Sequence, residues 1–278
     1  MASYLRPARL DDALAALAAG PRAIVAGGTN FYSARVGQPL AEDVLDISGL
    51  TELRRISDEG TGWRIPALVT WTDLIEAELP PLFDGLKRAA RGVGSKQIQN
   101  AGTICGNLCN ASASADGVPA LLALDAEVEL VSCKGSRWLG VADFVTGHGT
   151  TARQFDELVV ALRVNRPQGA ARSTFLKLGA RRYLAISIAA VAVVIETETA
   201  DTIGAARIAI GACSTVAKRL HRLERELAGR RLEPGLVHLV MDHHLEPLAP
   251  INDIRGSAIY RYDAALTLTR RALAQLTE

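Results

Sequence analysis

The chain has 278 residues, of which 49% are hydrophobic and 22% are charged. These proportions are typical of a soluble globular protein, and the length is enough for about two domains. The 31 basic and 30 acidic side chains leave a net charge of +1, and only 5% of the residues are aromatic. The composition therefore gives no reason to expect nucleic acid or an anionic membrane as a partner.

The chain shows no export or membrane-spanning signal. Its N-terminal stretch, MASYLRPARLDDALAAL, lacks the long apolar region of a secretory signal. The most apolar run, residues 184–195, has 12 residues and is shorter than the roughly 20 that a membrane helix needs, so it predicts a buried strand. We expect no membrane insertion, a cytoplasmic location and free thiols at the four cysteines, Cys105, Cys109, Cys133 and Cys213.

The first half of the chain alternates short helices and strands. Thr70 and Asp73 have the spacing of a capping box, which predicts that a helix starts there. The predicted elements, in chain order, are a helix over 10–20, strands over 23–30 and 43–48, two strands within 54–69, helices over 71–79, 81–95 and 116–126, a hairpin over 126–141 and a strand over 156–164.

The second half has a different pattern, after a linker-like stretch at 165–173. Three apolar strands come first and three helices follow, which predicts an α+β domain with helices packed on one face of an antiparallel sheet. The strands are predicted over 173–180, 185–196 and 205–213, and the helices over 215–229, 234–245 and 257–276.

Two segments rich in glycine and amide side chains resemble ligand-binding turns. VAGGTN (25–30) follows a strand, and NAGTICGNLCN (100–110) carries Thr103, Gly106, Asn107 and Asn110. Glycine turns expose converging backbone N–H groups that can hold a phosphate, and neutral hydroxyl and amide groups suit phosphate or ribityl oxygens. Asp116 follows as an acceptor for hydroxyls. Because neither segment contains Lys or Arg, we expect backbone dipoles to balance the phosphate charge.

Each segment taken alone could also be an ordinary tight turn. The sequence has neither the G-x-G-x-x-G pattern of Rossmann dinucleotide sites nor the G-x-x-x-x-G-K-[ST] pattern of nucleotide triphosphatases. Two neutral segments 76 positions apart (Gly27 to Thr103) instead suggest a diphosphate held between two lobes. The residues by themselves therefore predict a dinucleotide-like ligand.

The motifs IVAGGTN, QIQNAGTICGN followed by ASASAD, FLKLGARR and GSAIYR occur in that order over essentially the whole chain. In this order they resemble the FAD-binding medium subunit of the molybdenum hydroxylases, the family of xanthine dehydrogenase and carbon monoxide dehydrogenase. The resemblance implies an α+β fold: a two-lobed FAD domain of the vanillyl-alcohol-oxidase (PCMH) type over 1–170, with lobes of about 1–55 and 56–170. A smaller C-terminal domain with a three-stranded antiparallel sheet and helices would cover 171–278.

The same resemblance implies which residues contact FAD. Two groups would enclose the pyrophosphate, Asp116 would hold the cofactor, and Lys177 would lie near the flavin ring, where a cation favours the anionic reduced flavin. The full predicted set is Ile24, Val25, Ala26, Gly27, Gly28, Thr29, Asn30, Ala101, Gly102, Thr103, Gly106, Asn107, Asn110, Asp116, Val159 and Lys177. No catalytic residue and no metal ligand is predicted in this chain.

The sequence departs from the family pattern at three places. Cys105 replaces the first glycine of T-I-G-G-N, and we expect strain there of about 1 kcal/mol or more if that position needs a positive φ. Gln99 stands where the family often has Arg, which puts an arginine contact in doubt. Residues 183–185 are YLA where xanthine dehydrogenases tend to carry aspartates, which weakens the prediction of an NAD site.

Other residues that could bind metal or FAD are better explained as structural. Cys105 and Cys109 form C-x3-C, but the remaining cysteines are isolated, so both fit small fillers better than ligands. His238 and Asp242 could share one helix face with His243 and His244 adjacent, yet no H-E-x-x-H motif is present, and a polar surface is favoured. Trp63, Trp71 and Trp138 are expected in the core or at an interface.

The resemblance implies the function of an FAD-carrying subunit in a heteromeric molybdenum hydroxylase. A large subunit would carry the molybdenum–pterin centre and a small one two [2Fe–2S] clusters, assembled as a dimer of heterotrimers. Electrons would reach FAD during hydroxylation of an N-heterocycle, purine or aldehyde and leave to an external acceptor. The alternatives are a stand-alone flavin-dependent reductase and a non-catalytic assembly subunit with a decayed FAD site.

Overall fold

The computed structural model describes residues 2–182, 184–199 and 201–277. Its N-terminal part is a small parallel sheet in the order β1-β3-β2, with one helix beside it. Leu14 and Leu17 on that helix are buried. The bounds of these elements are β1 Tyr4–Leu5, α1 Leu10–Ala18, β2 Ala23–Val25 and β3 Val44–Asp46.

A second, antiparallel sheet follows in the order β4-β5-β10-β6-β7. The last of these strands in sequence, β10, lies in the middle of the sheet between β5 and β6. After the β6–β7 hairpin, the chain therefore returns to the centre of the sheet. The predicted hairpin over 126–141 is confirmed as the pair β6–β7. The strands are β4 Ser57–Asp58, β5 Gly62–Pro66, β6 Glu127–Ser132, β7 Gly135–Gly140 and β10 Leu158–Asn165, with the small pair β8 Val145–Gly147 and β9 Thr150–Thr151 between β7 and β10.

Helices fill the connection between β5 and β6. The predicted capping box is confirmed: the Thr70 hydroxyl accepts from the Asp73 amide at 3.1 Å, and the Asp73 carboxylate accepts from the Thr70 amide at 2.9 Å. Pro119 lies in the first turn of its helix, where the missing amide costs nothing. The helices are α2 Trp71–Glu76, α3 Asp84–Gly92, α4 Lys96–Ala101, α5 Ile104–Asn110, α6 Gly117–Ala123 and, after β7, α7 Val141–Phe144.

The C-terminal part contains the three long strands that the sequence predicts, and a short fourth strand extends the sheet. Lys218 and Arg219 form this strand, so the predicted helix over 215–229 is shorter and begins at His221. The predicted helix over 234–245 is wrong, because Pro234–Leu239 and Asp242–Leu245 are two separate 3-10 turns. The elements are β11 Ala170–Gly179, β12 Ser187–Thr199, β13 Thr202–Gly211, β14 Lys218–Arg219, α8 His221–Leu227 and α9 Ala258–Thr277.

Strand β12 is buried on both faces and joins the two halves of the molecule. Ala190, Ala192 and Val194 belong to the core of the N-terminal half, whereas Val191 and Val193 belong to the core under α8 and α9. This explains why the 184–195 run is apolar throughout rather than alternating. Within the described residues, no helix combines the length and apolarity needed to cross a membrane.

Candidate cofactor-binding site

A cavity of about 470 Å³ lies where the parallel sheet meets α5 and β10. This volume is within the usual range for sites that bind small molecules. The cavity brings the two predicted glycine segments together, although 76 positions separate Gly27 from Thr103. Ala101, Asp116 and Lys177 do not line it, while the other predicted residues do: Ile24, Val25, Ala26, Gly27, Gly28, Thr29, Asn30, Gly102, Thr103, Gly106, Asn107, Asn110 and Val159.

The two glycine segments touch each other at Gly27. A Cβ atom on Gly27 would lie 1.8 Å from the carbonyl oxygen of Ala101, so no side chain fits at this position. Gly28 has φ +68°, a left-handed conformation that favours glycine, and a Cβ there would lie 2.6 Å from the ring of Tyr32. The first segment therefore presents bare backbone to the cavity, as the sequence predicts.

The second segment is not a glycine turn, which corrects the sequence interpretation. It forms the start of α5, where the Thr103 hydroxyl caps the helix by accepting from the Gly106 amide at 3.0 Å. A Cβ on Gly106 would lie 2.7 Å from that hydroxyl, so glycine keeps room for the cap. The Trp71 amide donates to the Gly102 carbonyl at 3.1 Å and anchors the segment to α2.

The expected strain at Cys105 is absent. Cys105 lies inside α5, and the non-glycine residues with positive φ in the described parts of the chain are Ala111, Asp125, Leu184 and Ala212. Burial raises the pKa of the Cys105 thiol well above its usual value and that of Cys109 to about 11. Both thiols line the cavity and are protonated at neutral pH, so they act there as small apolar groups.

Asn107 lines the cavity and carries an unpaired hydrogen-bond acceptor. Its Oδ1 atom is buried and has no partner among the described residues. That atom faces α6, because a Cβ on Gly117 would lie 2.7 Å from it. A buried acceptor without a partner is costly, and a turn of the Asn107 side chain toward the cavity would let a ribityl or ribose hydroxyl satisfy it, which fits the FAD that the sequence implies.

Two arginines also line the cavity, although neither glycine segment contains a basic residue. Arg35 follows the first segment by five positions, and Arg153 comes from the stretch between β9 and β10. No Asp or Glu lines the cavity within the part of the chain that the structure describes. The sequence analysis did not identify the segment around Arg153 as part of the cavity wall. The glycine-rich run TGHGTT, which precedes Arg153, could have indicated it.

Asp116 and Lys177 form an ion pair outside the cavity. The Lys177 ammonium donates to Asp116 Oδ2 at 2.6 Å and to the carbonyls of Gly92 and Ala185 at 3.2 and 3.1 Å, and Ser187 donates to Asp116 Oδ1. Burial raises the pKa of Asp116, and Lys177 and Ser187 oppose that rise. The two residues connect α6 to the C-terminal sheet, and their contacts to FAD stay predictions.

Two of the remaining departures from the family pattern can be located in the structure. The Gln99 amide donates to the carbonyls of Arg91 and Val93 at 3.3 and 3.1 Å, so it secures the end of α3 rather than the cavity. Of the YLA stretch, Leu184 is exposed with φ +52°, and residue 183 lies outside the described residues.

The one group in the described residues with metal-binding potential is Glu226, His243 and His244, whose ligand atoms lie within 4.8 Å of each other. His238 and Asp242 do not share a helix face as supposed. The Met241 amide donates to His244 Nδ1 at 3.0 Å, so the proton of neutral His244 is on Nε2, which lies 3.0 Å from Glu226. This tautomer stabilises the turn and leaves Nε2 unsuited to a metal.

Comparison with known proteins agrees with the geometry. A family described as "FAD binding domain in molybdopterin dehydrogenase" matches residues 1–167, and "CO dehydrogenase flavoprotein C-terminal domain" matches residues 174–276. The nicotine 6-hydroxylase medium subunit of Paenarthrobacter nicotinovorans is 30% identical over 98% of this chain and 96% of its own length. The glyceraldehyde dehydrogenase medium chain of Sulfolobus acidocaldarius is 30% identical over 99% and 98%.

Solved structures give the same result. A chain of Cu,Mo-CO dehydrogenase in its cyanide-inactivated form has a TM-score of 0.89 at 27% identity, covering 99% of this chain and 97% of its own. A chain of quinoline 2-oxidoreductase from Pseudomonas putida 86 has a TM-score of 0.87 at 26% identity, covering 100% and 97%. The chain therefore belongs to the family of FAD-binding medium subunits of the xanthine and carbon monoxide dehydrogenases, which are oxidoreductases.

Proposed function

We propose that this chain is the FAD-carrying subunit of a heteromeric molybdenum hydroxylase and that FAD occupies the cavity between the two glycine segments. The observation that carries the proposal is the contact between Gly27 and Ala101, which presents side-chain-free backbone from two distant segments to one cavity. FAD, when bound, supplies the electron-transfer chemistry. The chain's own residues bind it, orient it and exclude water from it.

The proposed contacts are divided between polar and apolar residues. Thr29, Asn30 and Thr103 offer neutral hydroxyl and amide groups toward the diphosphate, and Asn107 Oδ1 accepts a hydroxyl proton. Val25 and Val159 line the same cavity with apolar surface suited to the flat faces of a ring. We retain Asp116 and Lys177 as the predicted residues near the flavin, and we place the domain boundary near residue 170.

We further propose partner subunits on the basis of the relatives. Several relatives are named medium chains or medium subunits, which indicates larger and smaller companions. The proposed partners are a large subunit with molybdenum–pterin and a small subunit with two [2Fe–2S] clusters, assembled as a dimer of heterotrimers. We propose a cytoplasmic location, because the described cysteines are all free thiols. The complex would hydroxylate an N-heterocycle, purine or aldehyde and pass the electrons to an external acceptor.

The absorbance spectrum of the purified chain after reconstitution tests the proposal. We expect the two bands of oxidised flavin, in the near ultraviolet and the blue, at one FAD per chain. Absence of these bands in a correctly folded sample would overturn the proposal and favour an assembly subunit without cofactor. Cys105 lies within α5 and has no positive φ, so backbone strain at this position gives no reason to favour that alternative.

Affinity capture of partner subunits from the native organism distinguishes the proposed function from the remaining alternative, a stand-alone reductase. A tagged chain should recover a molybdenum-containing large subunit and an iron–sulfur subunit in equal amounts. A chain that binds FAD, reduces an acceptor with nicotinamide and recovers neither subunit would be a stand-alone reductase.

A further inference from the structure

Arg153 lines the cavity, and backbone carbonyls hold its side chain in place. Its Nη1 donates to the carbonyls of Gln154 and Glu157, both at 2.9 Å, so the guanidinium is held by backbone rather than by an acid. The carboxylates that follow it most closely in sequence form other ion pairs: Glu157 pairs with Arg137, and Asp156 pairs with Lys134. Among the described residues, no carboxylate forms an ion pair with Arg153.

Arg35, the other cation on the cavity wall, is neutralised. Its guanidinium pairs with Glu42, donates to the Phe31 carbonyl at 3.0 Å and stacks 4.0 Å from the centre of the Phe31 ring. The two arginines therefore differ in one respect: Arg35 has an acidic partner, whereas no carboxylate in the described parts of the chain pairs with Arg153.

The position of Arg153 also favours a ligand contact. It lines the cavity together with Cys109 and Asn110 from α5, and it is close enough to Cys109 to oppose part of the burial effect on that thiol's pKa. A half-buried cation without a counter-charge is unfavourable in the empty protein, and an anion in the cavity relieves that cost. With no acid on the described wall, the cavity carries net positive charge.

We propose that Arg153 supplies the formal positive charge that binds the diphosphate of FAD, as a cofactor-binding residue outside both glycine segments. This inference depends on FAD occupying the cavity, as proposed above. A charge-assisted hydrogen bond from a pre-oriented guanidinium to phosphate is about twice as strong as a neutral one. The backbone segments shape the site, and Arg153 gives it preference for an anion.

Titration calorimetry of the cofactor-free full chain with FAD, ADP and adenosine tests this role. For Arg153→Gln we expect the Kd of FAD and of ADP to rise about tenfold at low salt, the usual size for one charged hydrogen bond. Binding of adenosine, which has no phosphate, should not change. Arg153→Lys keeps the charge but loses the planar guanidinium, so its Kd for FAD should lie between those of the unmodified chain and Arg153→Gln.

The matched control is Arg9→Gln, which also removes one positive charge, but from an exposed side chain that does not line the cavity. Its Kd for FAD should change less than threefold. Salt gives a test without any variant: at about 1 M salt, where the screening length is about 3 Å, FAD and ADP should bind more weakly to the unmodified chain.

Three results would overturn the role of Arg153: an unchanged Kd for FAD in Arg153→Gln at low salt, an equal loss for adenosine, or salt-independent binding of FAD. The adenosine result would mean that Arg153 packs against the nucleoside instead. Failure of the unmodified chain to bind FAD at all would overturn the proposed function, so the two failures are distinguishable.

Discussion

Two buried polar regions of this molecule differ in whether their polar groups have partners within the protein. At the junction between α6 and the C-terminal sheet, Asp116 accepts from Lys177 and Ser187, and Lys177 also donates to two backbone carbonyls. In the cavity, Asn107 Oδ1 has no partner and Arg153 has no counter-charge within the described residues. The difference teaches that polar groups paired within the protein stabilise the fold, whereas groups with unused bonding capacity can bind a ligand without breaking an internal contact.

The largest effect should come from filling the contact between the glycine segments. In Gly27→Val the side chain would collide with the Ala101 carbonyl, so the segments must separate and FAD binding should fall by at least 100-fold. The FAD content of the purified variant measures this. Gly235→Ala is the control, because its Cβ would meet only the end of Glu233 at 3.7 Å. Full FAD occupancy in Gly27→Val would refute the proposed site.

Breaking the junction should cost stability. Asp116→Asn leaves the Lys177 ammonium buried without a counter-charge, and we expect the free energy of unfolding to fall by about 3–5 kcal/mol. Urea denaturation of the cofactor-free chain measures it. The exposed ion pair of Asp11 with Arg9 provides the comparison, since Asp11→Asn should cost less than about 1 kcal/mol. Equal costs for both variants would contradict the distinction drawn here.

The cavity should respond to Asn107→Leu with opposite signs in two assays. Removing an unpaired buried acceptor should leave the cofactor-free protein equally stable or more stable by up to about 1 kcal/mol. The Kd for FAD should rise about fivefold to tenfold, because a hydrogen bond to the ligand is lost. Urea denaturation and calorimetry on the same sample decide. A variant that loses stability and keeps its FAD affinity would assign Asn107 to the fold.

A pH-dependent effect concerns Asp253, a partly buried carboxylate paired with the buried Arg261. The Arg255 amide and then the Arg261 guanidinium lower the pKa of Asp253 from 3.8 to about 2. The unfolded chain therefore binds more protons between these values, so this stabilisation is present above pH 3.8 and is lost as the pH falls through about 2. The stability gap between the unmodified chain and Asp253→Asn should shrink over that window. A gap that stays constant would refute the assignment.

Several features could be predicted from the sequence because they depend on neighbours along the chain. The capping box at Thr70 and Asp73, the hairpin over 126–141 and the buried strand within 184–195 are local patterns, and all three are confirmed. The predictions over 215–229 and 234–245 failed in part. The β14 pairing with β13 outweighed helix propensity in the first, and Pro234 with the extended Val240 and Met241 interrupted the second.

By itself, the sequence determined the ordered motifs, the family resemblance and the residues without side chains at Gly27 and Gly28. Glycine's freedom of φ and its lack of Cβ are properties of the residue itself, so the positions of such turns can be predicted from the sequence. Only the tertiary structure decided that Gly27 touches Ala101, that Lys177 is neutralised by Asp116 and that Arg153 lines a cavity with no acid among its described lining residues. Charge pairing depends on distances between residues far apart in sequence, and those distances exist only in the folded chain.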